Sequence, residues 1–461
     1  MPRRARYLSA LLLVLLPSVA LAQTTFDKGE FATRRAKLLE RIPDGIAIVF
    51  GAVEHPYPVN FRQSPDFYYL TGLEEPGAIL VLNGATKNAV VFATKRPQIG
   101  IPEATPDLRD VEKPQERYGV GVQPMEAFYT FLSLQSASPS VKKVYLPLSP
   151  PDDVNHARFE AKIFAAQALD HPVLAYEQPY AKAVERIRLA QPELATADLS
   201  PFLDELRWVK TPYEIERLRK SGKIGAEAVA EAMRATRPGM YEYEIAAAAQ
   251  YVSTRLGARD AFLPIVPSGP LTVFLHYQEN RRQMKAGEVV YMDYGSDWEY
   301  YNSDITRTWP VSGKFSPEQE KMYRCVLEAR NAIIAAMKPG ASINSLQDVA
   351  QSVYEKHGYK DDFLAVGRYI GHFVGISVHD VGGISGADAQ RPFVPGVVFN
   401  VEPVLQFPAK QIHVRLEDTV VITETGAENL TAGVPAETEQ VYALVKQRGV
   451  NSASLAERAP K

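Results

Sequence analysis

The chain has 461 residues, more than one ordinary hydrophobic core accommodates, so two or more domains are expected. With 46% hydrophobic residues, 23% charged residues and a formal net charge of −3, it reads as a soluble globular protein. That charge balance offers no basic patch or stripe of the kind a nucleic-acid partner requires.

The first element in chain order is an address. "MPRRARYLSALLLVLLPSVALAQ" places Arg3, Arg4 and Arg6 ahead of an apolar run from Leu8, closed by Ala20-Leu21-Ala22. This basic, apolar and small-residue order is that of a secretory signal peptide, residues 1–22. A membrane anchor is the competing reading, but the run is shorter than the roughly 20 residues a span needs, and it contains Pro17. Cleavage after Ala22 takes the net charge from −3 to −6. The expected product is exported, periplasmic or secreted, and carries no later stretch long and apolar enough to cross a membrane. Cys325 is the only cysteine, which excludes a disulfide within the chain. It shares helical spacing with Met322, Val326, Ala329 and Ile333, and reads as a small buried hydrophobe.

Residues 23–200 follow an α/β pattern. A short helix at "FATRRAKLLERIP" precedes apolar strand-like runs at "GIAIVF", "AILVLN", "AVVFAT" and "KKVYLPL", with turns and helical patterns between them. The stretch from about 96 to 140, rich in Pro and Gly, reads as loop. A boundary falls near residue 200, with a second domain over 201–446 and a tail over 447–461. There Thr211, Pro212 and Glu214 make an N-cap, a first-turn proline and a capping box. The helix they open stops at Pro238-Gly239.

The pattern then repeats. Ser316, Pro317 and Gln319 open a second helix that stops at Pro339-Gly340. A further helical segment follows each stop, and each half ends in a hairpin. Six residues on from Gly287 and from Gly396 stand Asp293 and Glu402. Residues of about 205–445 therefore read as two copies of helix, helix and hairpin, with a carboxylate at the same place in each and a site between the halves.

The hairpins carry the chemistry. Asp293 and Asp304 lie eleven residues apart on paired strands, and the second hairpin carries Glu402 and Glu417. Carboxylates in strands this apolar need a partner, since an unpaired buried charge is costly. Salt bridging by Arg307 and Arg415 is one account. A carboxylate-rich metal site is the other, and four acids on related hairpins favour it. Oxygen ligands with one imidazole suit Mn, Co, Zn or Mg, and four acids exceed the need of one ion. Two ions sharing carboxylates would use the surplus and could activate a bridging water. The nitrogen ligand is sought in "GHFVGISVHDVGG". On a straight strand His372 and His379 face opposite ways, so one is expected to bind metal and the other to serve the substrate.

With these residues in place, the sequence resembles the metal-dependent pita-bread peptidases, the family of methionine aminopeptidase, prolidase and aminopeptidase P. The resemblance spans 205–445 and rests on "MDYG", "SDITRT", "GHFVGISVHDVGG", "VEP" and "RLEDT". It implies an α+β pita-bread domain with an internal pseudo-two-fold repeat. It also implies two divalent metal ions, Mn2+ first with Co2+ or Zn2+ as alternatives. Asp304 and Glu417 would bridge them, Asp293 would complete one site, and His372 and Glu402 the other. Glu402 would also handle protons of the attacking water. By the same resemblance His276 and His379 serve the substrate and its developing charge, and Arg415 sits beside the metal carboxylates. "FRQSPDFYYLTGLEEPGAILVL" is similar to the N-terminal domain of aminopeptidase P, which limits the peptides that enter.

The expected activity is release of an N-terminal residue from peptides with proline second. A prolidase acting on dipeptides and a non-catalytic peptide-binding member of the fold are the alternatives. The implied partners are a peptide substrate and further copies of the chain, as a dimer or tetramer. One position departs from the family. Arg368 stands where relatives commonly have a histidine four residues before the metal histidine, and it is expected to contact a peptide carboxylate.

Overall fold

The computed structural model describes residues 26–53, 61–95, 107–170 and 179–450. The signal-peptide segment, part of the 96–140 stretch (96–106) and the tail from residue 451 lie outside them. The N-terminal domain is built on a mixed six-stranded sheet of order β4-β3-β2-β1-β5-β6. Its strands are β1 (Gly45–Phe50), β2 (Ile79–Asn83), β3 (Asn88–Ala93), β4 (Gly121–Pro124), β5 (Lys143–Leu146) and β6 (Ala195–Asp198). Strands β1, β2 and β3 are antiparallel neighbours, whereas β4, β5 and β6 join in parallel.

Side-chain alternation gives the sheet two buried faces. Ala47, Val49, Leu80 and Leu82 belong to a core continuous with Tyr300, Tyr301, Val374 and Ile376 of the C-terminal part. Ile46, Ile48, Val81 and Phe92 pack on the other side with Phe128, Leu132 and Ile187. Residues 107–140 depart from the loop expected of them. They form β4 and the helices Pro114–Tyr118 and Phe128–Ser136. Pro114 sits at a helix start, and Pro124 ends an edge strand, so both prolines occupy positions that structured elements tolerate.

In the C-terminal part the two helix starts form as the sequence indicates. Thr211 with Glu214 and Ser316 with Gln319 make reciprocal capping boxes on helices Pro212–Ala235 and Pro317–Ala336. At the two Pro-Gly stops Gly239 and Gly340 take φ of 89° and 88°, a left-handed turn that glycine enters freely. Helices Glu242–Arg255 and Ile343–Lys356 follow. Strand Val289–Tyr294 pairs antiparallel with Ile305–Pro310, and Val398–Val401 with Asp418–Ile422. The second hairpin carries an additional short pair, Val404–Phe407 with Ile412–Arg415.

A buried ion network ties the two parts together beneath the cleft. Arg207 reaches Asp66 at 2.9 Å, Asp152 at 2.5 Å and Asp380 at 2.6 Å. Arg158 holds Asp66 at 3.0 Å, and Lys210 holds Asp380 at 2.9 Å. Burial pushes the Asp380 carboxyl up, but Lys210 and Arg207 outweigh it and keep its pKa below the usual carboxylate range. Desolvation offsets much of such a network's Coulomb energy. Its clear structural effect is to pin the chain at Asp380, next to His379.

Candidate metal centre and catalytic cleft

The strand register brings the four acids together. Thr306 lies opposite Asp293, and Asn400 opposite Thr419. Asp304 stands one residue before its strand, Glu402 one residue after its own, and Glu417 one residue before the strand that pairs with it. The hairpins meet through two bonds: the Glu417 backbone NH donates to the Thr306 carbonyl at 3.0 Å, and the Asp304 NH to Thr419 Oγ1 at 3.0 Å. Three groups of potential ligand atoms, each within 4.8 Å, result: Asp293, Asp304 and Glu417; His372, Glu402 and Glu417; and Asp304, His372 and His379.

His372 follows Gly371, whose φ is 134° and where a Cβ would stand 1.7 Å from the Asn400 carbonyl oxygen. Only glycine permits this approach of the histidine segment to the strand. His372 Nδ1 lies 3.0 Å from the Phe373 carbonyl, so a hydrogen bond there leaves Nε2 toward Asp304 at 3.4 Å and Glu417 at 4.0 Å.

The acids are held firmly. Arg415 bonds Asp293 at 2.5 Å and Glu402 at 3.1 Å. The Tyr369 hydroxyl donates to Glu402 at 2.6 Å. Glu417 accepts from Asn400 Nδ2 at 2.5 Å and from the Thr306 hydroxyl. Arg307 is not part of this cluster: it bonds Asp418 at 2.8 Å. One guanidinium therefore faces four carboxylates. Burial, then Asp293 and Glu402, push Asp304 well above the ordinary carboxylate range, and burial, then Asp304 and Glu402, do the same to Glu417. Asp293 Oδ1 and Asp304 Oδ1 are buried without a hydrogen-bond partner. Buried, partly unsatisfied oxygens carrying excess negative charge are what hard divalent cations take as ligands, and the donor set fits them.

His372 and His379 do not face opposite ways. Residues 375–378 form a bend, not a straight strand, and the rings of His372 and His379 lie on the same side, centroids 3.9 Å apart and planes tilted by 31°. The chain turns because the N-terminal domain grips it. Val378 NH donates to the Val154 carbonyl at 2.7 Å, and His379 NH to the Asn155 carbonyl at 2.9 Å. His379 Nδ1 lies 2.7 Å from Glu160 Oε1.

A cleft of about 330 Å3 opens on Asp293 and Asp304, lined also by His276, His379, Phe262 and His156. His276 is exposed on its wall. Arg368 lines neither this cleft nor the smaller cavity of about 130 Å3 beyond His379. Its guanidinium bonds Asp348 at 2.5 Å, while its Nε is buried without a hydrogen-bond partner.

Several residues escaped the sequence reading. Thr306 and Asn400 sit two positions from Asp304 and Glu402, and a polar residue in so apolar a strand was the available signal. Glu160 had none, because helix Arg158–Asp170 meets His379 across 219 residues, and Tyr369 meets Glu402 across 33.

The domain and its acid cluster define a metallopeptidase: residues 216–424 match metallopeptidase family M24, and residues 31–102 match the aminopeptidase P N-terminal domain. The Xaa-Pro aminopeptidase of Escherichia coli is 33% identical over 91% of this chain and 98% of its own. A solved structure of E. coli aminopeptidase P with the inhibitor Pro-Leu superposes with a TM-score of 0.75, at 30% identity over 92% of this chain and 99% of that one. The Xaa-Pro dipeptidase of Pyrococcus furiosus is 36% identical over 50% of this chain and 66% of its own. The chain belongs to the aminopeptidase P family of M24 metallopeptidases, hydrolases with an aminopeptidase N-terminal domain ahead of a pita-bread catalytic domain.

Proposed function

We propose that this chain is an exported Xaa-Pro aminopeptidase that uses two divalent ions held by Asp293, Asp304, His372, Glu402 and Glu417. The observation that carries the reading is the buried cluster of four carboxylates against one guanidinium, with Asp293 Oδ1 and Asp304 Oδ1 left without partners. When bound, the ions supply a nucleophilic water and polarise the scissile carbonyl.

The chain's own groups do the rest. Arg415 fixes Asp293 and Glu402 in one geometry, and the Tyr369 hydroxyl fixes the second oxygen of Glu402. Glu402 takes the proton of the attacking water and returns it to the leaving nitrogen. His379, held at Nδ1 by Glu160, lines the cleft and positions the substrate beside the scissile carbonyl. His276 contacts the substrate from the exposed wall.

The 33% identity to an Xaa-Pro aminopeptidase along nearly its whole length supports proline in the second position. The sequence of residues 1–22 supports export to the periplasm or beyond, and among the described residues no helix is long and apolar enough to cross a membrane. Mn2+ is the proposed metal, with Co2+ and Zn2+ behind it, and a dimer or tetramer is the proposed assembly. The division at residue 200 is proposed as the domain boundary.

The test is a panel of Xaa-Pro, Xaa-Pro-Xaa and Xaa-Ala-Xaa peptides assayed with each metal. Cleavage of the tripeptides ahead of proline supports the aminopeptidase. Cleavage of dipeptides alone would make it a prolidase, and binding without cleavage a peptide-binding member of the fold.

A further inference from the structure

The N-terminal domain contributes a wall to the cleft through a segment that neither family-matched stretch includes, residues 153–160. The wall is built onto the histidine segment by the backbone. Besides the two bonds from Val378 and His379, the Ala157 NH donates to the His379 carbonyl at 2.8 Å, and the Ser377 hydroxyl to the Asp153 carbonyl at 2.8 Å. Residues 377–379 are thus clamped along 153–157. Glu160, in the first turn of helix Arg158–Asp170, then meets the edge of the His379 ring.

We propose that Glu160 is a positioning residue for His379: by accepting a hydrogen bond from Nδ1 it fixes the ring plane and the tautomer, and turns Nε2 to the cleft. The inference rests on the reading of His379 as a group that faces substrate. Two observations carry it. The Nδ1 to Oε1 distance of 2.7 Å is that of a strong bond to a charged acceptor. The second oxygen, Oε2, is buried without a hydrogen-bond partner, so among the described residues His379 is the one side chain that hydrogen-bonds this carboxylate. His156, on the same wall, lies 6.3 Å from the His379 ring centroid and is turned to Asp153 instead. A histidine whose one nitrogen is fixed by a carboxylate has its other nitrogen defined in both direction and proton content. For histidines that bind metal the loss of such a partner typically costs about 10–100-fold in affinity or activity, and a loss of that order is expected here.

The test uses the Zn-loaded full chain labelled with 15N-histidine, in which a His379→Ala spectrum assigns one of the eight histidines. In the wild type His379 is expected to carry its proton on Nδ1, and Glu160→Ala to lose that preference. Glu160→Gln retains a carbonyl acceptor and is expected to restore it. On Xaa-Pro peptides Glu160→Ala is expected to lower kcat about 10–100-fold with KM within about twofold. In the His379→Ala background the same change is expected to have less than about a twofold effect. An unaltered tautomer in Glu160→Ala, or a rate loss that persists undiminished without His379, overturns the proposal. If the wild type cleaves no Xaa-Pro peptide, the proposed activity fails, and the tautomer measurement still decides the role of Glu160.

Discussion

Replacing Asp304 by asparagine should stabilise the metal-free protein and abolish its response to metal. Asp304 offers a ligand atom within 4.8 Å of one from Asp293 and one from Glu417. At an effective dielectric constant of about 20, each like-charged pair at that distance costs about 3.5 kcal/mol. Proton uptake limits the total, because protonating an ordinary aspartate at pH 7 costs about 4 kcal/mol. The amide keeps the shape and removes the charge, so the metal-free gain is about 2–4 kcal/mol. With an unfolding entropy of about 2.1 cal/mol/K per residue, a chain of this size shifts by about 1 °C for each kcal/mol. Tm should therefore rise by about 2–4 °C in EDTA. Wild type should gain about 3 °C from metal at 100 times Kd, whereas Asp304→Asn should gain almost nothing. Thermal melts in EDTA and in Mn2+ read both effects. A variant that is less stable without metal, or that responds to metal as the wild type does, would refute the electrostatic reasoning.

The remaining expectations concern neighbouring groups. Tyr369→Phe removes a 2.6 Å bond to Glu402 and should lower kcat about tenfold with little change in KM. Asp380→Asn leaves Arg207 and Lys210 under-compensated in the interior and should cost about 3–5 kcal/mol at pH 7 by urea unfolding. The folded Asp380 pKa is depressed, so its contribution is present above the unfolded value near 4 and is lost as pH falls through the lower folded value; the gap between variant and wild type should narrow below about pH 4. Arg368→His should leave the peptide-length profile within about twofold of wild type, because Asp348 already engages the guanidinium.

Much of the site was legible because its residues conflict with their surroundings. Asp293 lies within, and Asp304, Glu402 and Glu417 directly beside, strands rich in Val, Ile, Tyr and Phe, and all four acids are buried. The caps at Thr211 and Ser316 were legible for a local reason: the residues that satisfy the first-turn donors are neighbours in sequence. What was not legible is long-range. The bend at residues 375–378 is imposed by bonds to Val154 and Asn155, which no periodicity of the histidine segment encodes. The two rings, which a straight strand would set on opposite faces, therefore lie side by side. Glu160 looks like any helix-face acid until helix Arg158–Asp170 docks. Likewise, the short edge strand β4 has too few residues to show an alternation.

Reactivation of metal-stripped protein tests the central claim most directly. Mn2+ would be titrated into apo-protein while cleavage of an Xaa-Pro-Xaa peptide and bound metal per chain are followed together. The account predicts that activity is absent at the start and reaches its plateau when two ions are bound per chain. It also predicts that Glu417→Gln, which alters a carboxylate expected to bridge both, binds neither tightly. Full activity in metal-free protein, or a plateau reached at one ion with Glu417→Gln unaffected, would contradict it.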